Sequence, residues 1–336
     1  MLPGQALTTA MGILPHTDLQ EAQKLALSLD IPFWPQLPRF RFKEDMYAQF
    51  AEHFPGIIID EEKEILRFSH ERFAQELDSY LEVSSIPEHF ALSVESSAAF
   101  TAFLTQDLSS KIMIHGQTVG PISFGLKICD EELKPMIYND FVREILYDFL
   151  LHKITWQYNQ LQQIHPNPFV WLDEPGLEMI FNSFSAYTSE IAQVEYGAFL
   201  SKLPGPKGVH LCGNPDWSFL LKADIDILSV DAFSWGHILV RYVDEVKEFL
   251  RRGKIISWGI IPTLTSELSS ETADSLTKRL LELWKFLNGH GIDDATLFDR
   301  SWLAPSRCCL INGDGTASIN HSFDLLREVA QNLRSR

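Results

Sequence analysis

Short apolar runs rich in β-branched and aromatic residues recur along the chain, separated by longer stretches in which apolar positions fall three and four apart. The runs lie at 6–14 ("ALTTAMGIL"), 31–37 ("IPFWPQL"), 111–119 ("KIMIHGQTV"), 168–175 ("PFVWLDEP"), 207–214 ("KGVHLCGN"), 226–233 ("DILSVDAF"), 254–263 ("KIISWGIIPT") and 295–304 ("ATLFDRSWLA"). Each predicts a β-strand. Helices are predicted between them, among others at 17–30 ("TDLQEAQKLALSLD"), 135–164 ("PMIYNDFVREILYDFLLHKITWQYNQLQQI") and 269–291 ("SSETADSLTKRLLELWKFLNGHG"), the last closed by glycine. Strand and helix in alternation imply parallel strands with crossover helices. Eight such units in 336 residues predict an α/β fold, a single (β/α)8 TIM barrel occupying 1–336 as one domain. The interval 38–110 exceeds one crossover helix. Within it "GIIIDEEKEILRF" predicts a hairpin of "IIID" and "EILRF", and "HERFAQELDSYLEV" a helix, together an insertion after the second strand.

Composition narrows the function classes more than the fold. The formal charge is −17, and Lys and Arg are not concentrated anywhere, which argues against a nucleic-acid partner and disfavours a polycarboxylate substrate. No run approaches the roughly 20 apolar residues that cross a bilayer, so no membrane partner is expected. The opening "MLPGQALTTAMGILPH" lacks the pattern of a signal peptide, which predicts a cytoplasmic protein. In that compartment the four cysteines, Cys129, Cys212, Cys308 and Cys309, are thiols available for burial or metal binding rather than a disulfide framework.

Barrel enzymes carry their chemistry at the C-terminal ends of the strands. The polar residues closing the predicted strands are His115 and Gln117, Asp173 and Glu174, His210 and Cys212, and Asp231, with Cys308 and Cys309 beyond the last strand. Side chains two apart on a strand project the same way, about 6.5 Å apart, so His210 and Cys212 are spaced to bind one ion. Imidazole and thiolate are ligands that Zn²⁺ prefers, and a second thiolate from Cys308 or Cys309 leaves a fourth position open for substrate. The plainer reading makes Cys212 a small buried apolar residue and His210 a hydrogen-bonded core histidine. His16 has a similar choice, between the pocket and the start of the next helix. No glycine-rich phosphate loop and no G-x-S-x-G elbow competes.

The segments "TTAMGILPHT", "KEDMYAQFAEHFPG", "QTVGPISFGL", "VWLDEPGLE", "VHLCGNPDW" and "LAPSRCCL", in this order, resemble the catalytic barrel of cobalamin-independent methionine synthase. They are similar also to the shorter corrinoid-linked methyltransferases of the uroporphyrinogen decarboxylase-like fold. The resemblance implies a zinc ion held by His210, Cys212 and Cys308, with Cys309 as the alternative because one residue is inserted after Pro305, and an acidic ligand near Asp231. It implies that Asp173 binds the amino group of homocysteine, and that Met11 and Gly12, standing in the family's I-G-S segment, line the substrate site together with Gln117. Glu174 and His115 are then the residues that orient the methyl donor. The implied activity is zinc-dependent methyl transfer to a thiol acceptor, homocysteine giving methionine, from a folate, a methylated corrinoid or a corrinoid protein. The chain departs from the family at Ile13, where a serine is lost, and at Phe40, where a glutamate anchor is lost. It has length for one barrel where the full enzyme has two. Two other readings remain: a decarboxylase of tetrapyrrole carboxylates, for which Arg39 and Arg41 are the available basic residues, and a non-catalytic module with a closed four-ligand zinc.

Overall fold

Seven of the predicted strands pair side by side in a computed structural model that describes residues 2–183, 185–308 and 310–336. They are β1 (Leu7–Thr8), β4 (Ile114–Val119), β5 (Pro168–Asp173), β6 (Lys207–Leu211), β7 (Ile227–Val230), β8 (Ile255–Ile261) and β9 (Ser301–Pro305), in the spatial order β1-β9-β8-β7-β6-β5-β4 and parallel throughout. The sheet curls as in a TIM-like fold. It is not the closed eight-stranded barrel that the sequence predicts.

The missing strand is the second one, 31–37, and its composition explains the failure. Pro32 and Pro35 have no N–H to give to a ladder, so the segment is held by isolated contacts. Ile31 N donates to Thr8 O at 3.0 Å and His115 N to Pro32 O at 3.0 Å. Gln36 N donates to Gly12 O at 2.9 Å and Leu14 N to Gln36 O at 2.9 Å. Single bridges join Phe33 to His115 and Ile13 to Gln36. The segment thus touches both edges of the sheet without forming a strand between them.

Two further predictions shift. The first run, 6–14, is regular only at Leu7–Thr8, although Thr9 N still reaches Leu303 O. The last run, 295–304, begins as a helix, Asp294–Asp299, because the Asp293 side chain accepts from Thr296 N and caps it. The strand follows at Ser301–Pro305.

The insertion forms as predicted in its second half. Strands β2 (Ile57–Asp60) and β3 (Ile65–Phe68) pair antiparallel, and the helix His70–Val83 starts from a Ser69 cap. Short helices at Met46–Ala51 and Ala98–Phe103 flank it.

Period-2 alternation sorts the sheet into two faces. One packs under the helices, including the long Asp140–Ile164. The other faces the barrel interior, where Phe169, Trp171 and Trp302 pack edge-to-face or tilted with ring centroids 5.2–6.4 Å apart. Each such ring buries 150–250 Å², worth about 4–6 kcal/mol at about 25 cal/mol per Å². These rings fill the interior and leave its C-terminal rim to polar residues. No helix is long and apolar enough to cross a membrane among the described residues.

Candidate metal centre and active site

The alternation that buries Phe169 and Trp171 continues to Asp173, so the last inward residue of β5 is a carboxylate. Asp173 is in register with His210 of β6, and His210 with Ser229 of β7. Cys212 continues the inward row just past β6, and Asp231 just past β7. Below them the Trp171 indole lies so close to Gly208 that a Cβ there would meet it at 2.5 Å. Polar side chains from three neighbouring strands therefore gather above an aromatic floor.

His210, Cys212 and Cys308 form one group, with ligand atoms all within 4.8 Å of one another. Ser229 Oγ lies 2.9 Å from His210 Nδ1 and fixes the ring, while Nε2 is buried without a partner. Cys308 is held by its backbone: Ile13 N donates to Cys308 O at 2.9 Å, and Leu310 N returns to Ile13 O at 3.0 Å. The Cys308 thiol, and then His210, pull the Cys212 thiol well below its ordinary value against the effect of burial. Burial works against the charged form of His210, but Cys212 and Asp173 raise its pKa overall. Cys308, acting as the donor to Cys212 and also buried, is raised. Cys309 lies outside the described residues.

Asp173 is fully buried, and neither carboxylate oxygen has a hydrogen-bond partner among the described residues. The Cys308 thiol lies beside it. Burial pushes its pKa up to about 7, against the pull of His210. A bare buried carboxylate is costly unless a cation meets it. Asp231 differs. Its Oδ1 accepts from Ser234 N at 2.8 Å and caps the helix Ala232–Leu239, while Oδ2 lies 3.8 Å from Arg307 Nε. It stands outside the group of three.

The remaining predicted site residues have other work. Glu174 falls on the opposite face of β5 from Asp173 and accepts from Ile122 N, Ser123 N and Ser123 Oγ at 2.6–3.3 Å, anchoring the start of helix Pro121–Lys127. Burial raises it to about 8. His115 lies deeper, stacked on Phe33 at 5.5 Å, with Nδ1 on Gly116 O and Nε2 on Thr9 Oγ1. Burial lowers it to about 3, which keeps the ring neutral. Gln117 spends its side chain on the gap in the sheet: Oε1 accepts from Gly12 N at 3.0 Å, and Nε2 faces Gly12 O, Trp34 O and Gln36 Oε1 at 3.2–3.4 Å. Gly12 itself must be glycine, since a Cβ would sit 2.2 Å from Phe33 Cε2. Met11 is buried and packs in one cluster with Cys308 and Cys212. His16 is buried with Nδ1 unpartnered. Arg39 and Arg41 donate to the carbonyls of Asn312 and Glu95.

Two residues escape the sequence reading. Ser229 had a signal, since it sits two before Asp231 on the same face of the same run. Tyr47 stands in the segment "KEDMYAQFAEHFPG", part of the resemblance, which assigns it no role: it lies in the short helix of the insertion, against Phe124 at 6.3 Å. Burial and then the negative charges of Asp173, Cys308 and Glu174 raise its phenol, which places the ring in their electrostatic neighbourhood.

The whole chain is similar in fold to a methyltransferase from Methanosarcina mazei, with a TM-score of 0.56 over 99% of this chain and 94% of that one. At 13% identity the likeness is one of fold. No family model and no curated protein matches the chain.

Proposed function

We propose that the chain is a zinc-dependent methyltransferase acting on a thiol, with homocysteine as acceptor and methionine as product. One observation carries the reading: an unpartnered imidazole Nε2 and two thiols come within 4.8 Å of one another at the rim of a TIM-like sheet, with the imidazole's other nitrogen already held by Ser229. A histidine whose second nitrogen is fixed is the usual arrangement around zinc. The likeness in fold to a methyltransferase supports the methyl-transfer part of the reading.

His210, Cys212 and Cys308 would hold the ion, and three protein ligands suit a catalytic site with one open position better than a closed structural one. Zinc at such a site is a Lewis acid that makes a bound thiol a thiolate at neutral pH. Asp173 receives the ammonium of the acceptor, which supplies the cation its bare carboxylate lacks. Glu174 acts at one remove by fixing the helix start beside Asp173, and Met11 closes the floor around the thiols. Methyl transfer then forms an S–CH₃ bond as the donor's bond to the same carbon breaks. The donor is a methylfolate or a methylated corrinoid, free or protein-bound. A cytoplasmic location agrees with thiols kept reduced.

The test begins with metal analysis of protein purified without added zinc. About one zinc per chain is expected, lost in Cys212→Ala and in Cys308→Ser but kept in Cys309→Ser. Methylation of homocysteine is then assayed with methyltetrahydrofolate and methylcobalamin in parallel. Protein that contains no transition metal and takes up none overturns the reading.

A further inference from the structure

We infer that Arg307 sets the specificity of this site by holding the anionic end of the acceptor, so that the thiols it takes are those bearing a carboxylate. The inference rests on the thiol-methyltransferase reading above and adds the half of the acceptor that Asp173 does not address.

Arg307 immediately precedes Cys308, and its guanidinium reaches to the rim at Asp231, with Nε 3.8 Å from Oδ2. That is an ion pair too long to be a hydrogen bond. Asp231 Oδ2 is buried without a hydrogen-bond partner, and Arg307 forms no hydrogen bond among the described residues. The Arg307 side chain is 37% exposed while Asp231 is fully buried, so the carboxylate holds the guanidinium in place from below and the fork of N–H donors faces outward. Such a fork matches a carboxylate in two parallel hydrogen bonds. The other arginines considered for the mouth, Arg39 and Arg41, each donate to a backbone carbonyl instead of pairing with a carboxylate of the site. A guanidinium paired with Asp231 alone, next to a ligand cysteine in a chain of charge −17, runs against the prevailing sign.

The spacing fits one molecule. Asp173 ends β5, and Asp231 lies two strands along the sheet and two residues beyond its register partner Ser229, which puts their backbones about 12 Å apart, a span that their inward-turned side chains shorten. An amino acid with its ammonium on Asp173 and its carboxylate on Arg307 spans two charge-assisted hydrogen bonds of about 2.8 Å and about 3 Å of its own backbone, roughly 9 Å. Its side-chain thiol is then directed toward His210 and Cys212, whose strand β6 stands between β5 and β7 in the strand order, and toward Cys308, which lies within 4.8 Å of both.

Calorimetric titration of zinc-loaded wild type, R307Q and R307K tests this with three thiols: homocysteine, its deaminated counterpart (a mercaptobutanoate) and its decarboxylated counterpart (an aminopropanethiol). R307Q is expected to weaken homocysteine and the mercaptobutanoate by about 10- to 100-fold and to leave the aminopropanethiol within about twofold. R307K, which keeps the charge but not the fork, falls between, and it decides the matter should R307Q not fold. Zinc content and far-ultraviolet circular dichroism stay as in the wild type. If the wild type binds all three thiols equally, or if R307Q weakens all three alike, the role of Arg307 is overturned while the methyltransferase reading stands. If the wild type holds no zinc, or binds none of the three, both fall together.

Discussion

Gln117 offers the cleanest separation of a scaffold role from a ligand-binding one. Its replacement by leucine keeps nearly the same volume, so the cavity contribution is small, and what is lost is the set of hydrogen bonds across the gap in the sheet. The Gly12 N–H, 3.0 Å from Gln117 Oε1, becomes a buried donor with no partner, which costs about 1–3 kcal/mol. The three contacts of Nε2, at 3.2–3.4 Å, are long and shared, and together contribute about 1 kcal/mol. A loss of about 2–4 kcal/mol is expected, and at about 2 °C per kcal/mol for a chain of this size the melting midpoint falls by about 4–8 °C. Urea unfolding followed by circular dichroism measures it, with an unchanged slope as the sign that only stability has moved. Zinc content and acceptor affinity of the folded variant should equal those of the wild type. A stability change under about 0.5 kcal/mol, or a loss of acceptor affinity at unchanged stability, refutes the scaffold assignment and returns Gln117 to the substrate site.

Other consequences are as specific. Ser229→Ala removes the partner of His210 Nδ1 and should lower zinc affinity by about 10- to 100-fold in competition with a chromophoric chelator; unchanged affinity would show that the ring needs no such support. Asp173→Asn keeps the shape but loses the charge, so the KM for homocysteine should rise by about 10- to 150-fold with zinc content unchanged, and a thiol without an amine should be nearly indifferent. Glu44 is fully buried, accepts from Ala98 N, and is raised by burial to about 7. A carboxyl whose folded pKa lies above its unfolded one binds more protons when folded, so its stabilisation is present at low pH and is lost as pH rises from about 4.5 through about 7. The stability difference between wild type and Glu44→Gln should therefore shift by up to about 3 kcal/mol across that window, and a difference flat in pH would count against a buried, titrating Glu44.

Alternation along single strands made the inward row legible: Asp173, His210, Cys212 and Asp231 all fall on the interior face of runs that fold where expected. The same parity puts Glu174, the next residue, on the other face from Asp173, and its reading as a donor-orienting residue of the same site does not apply it. Parity does not report depth, however, and His115 shares the inward face of its strand but sits among Phe33, Phe169 and Trp171, where burial keeps it neutral. The run 31–37 failed for a reason present in its letters, two prolines three apart, which an apolar count does not register. Tyr47 was legible only as part of a segment that carries the resemblance, because its place depends on how a helix of the insertion docks against residues far away in sequence.

The break in the sheet between β1 and β4, spanned only by isolated contacts of 31–37, bears on how fast a metal held by the three ligands exchanges. His210 belongs to a strand with partners on both sides, and Cys212 follows that strand directly, whereas Cys308 is bonded to Ile13, which is joined to Gln36 by a single isolated bridge. Local opening draws on the least paired parts of a structure. The Cys308 side of the centre is therefore its door: amides near 13 and 36 should exchange with deuterium well before those of β6, and release of the ion should keep pace with that local opening rather than with unfolding of the sheet.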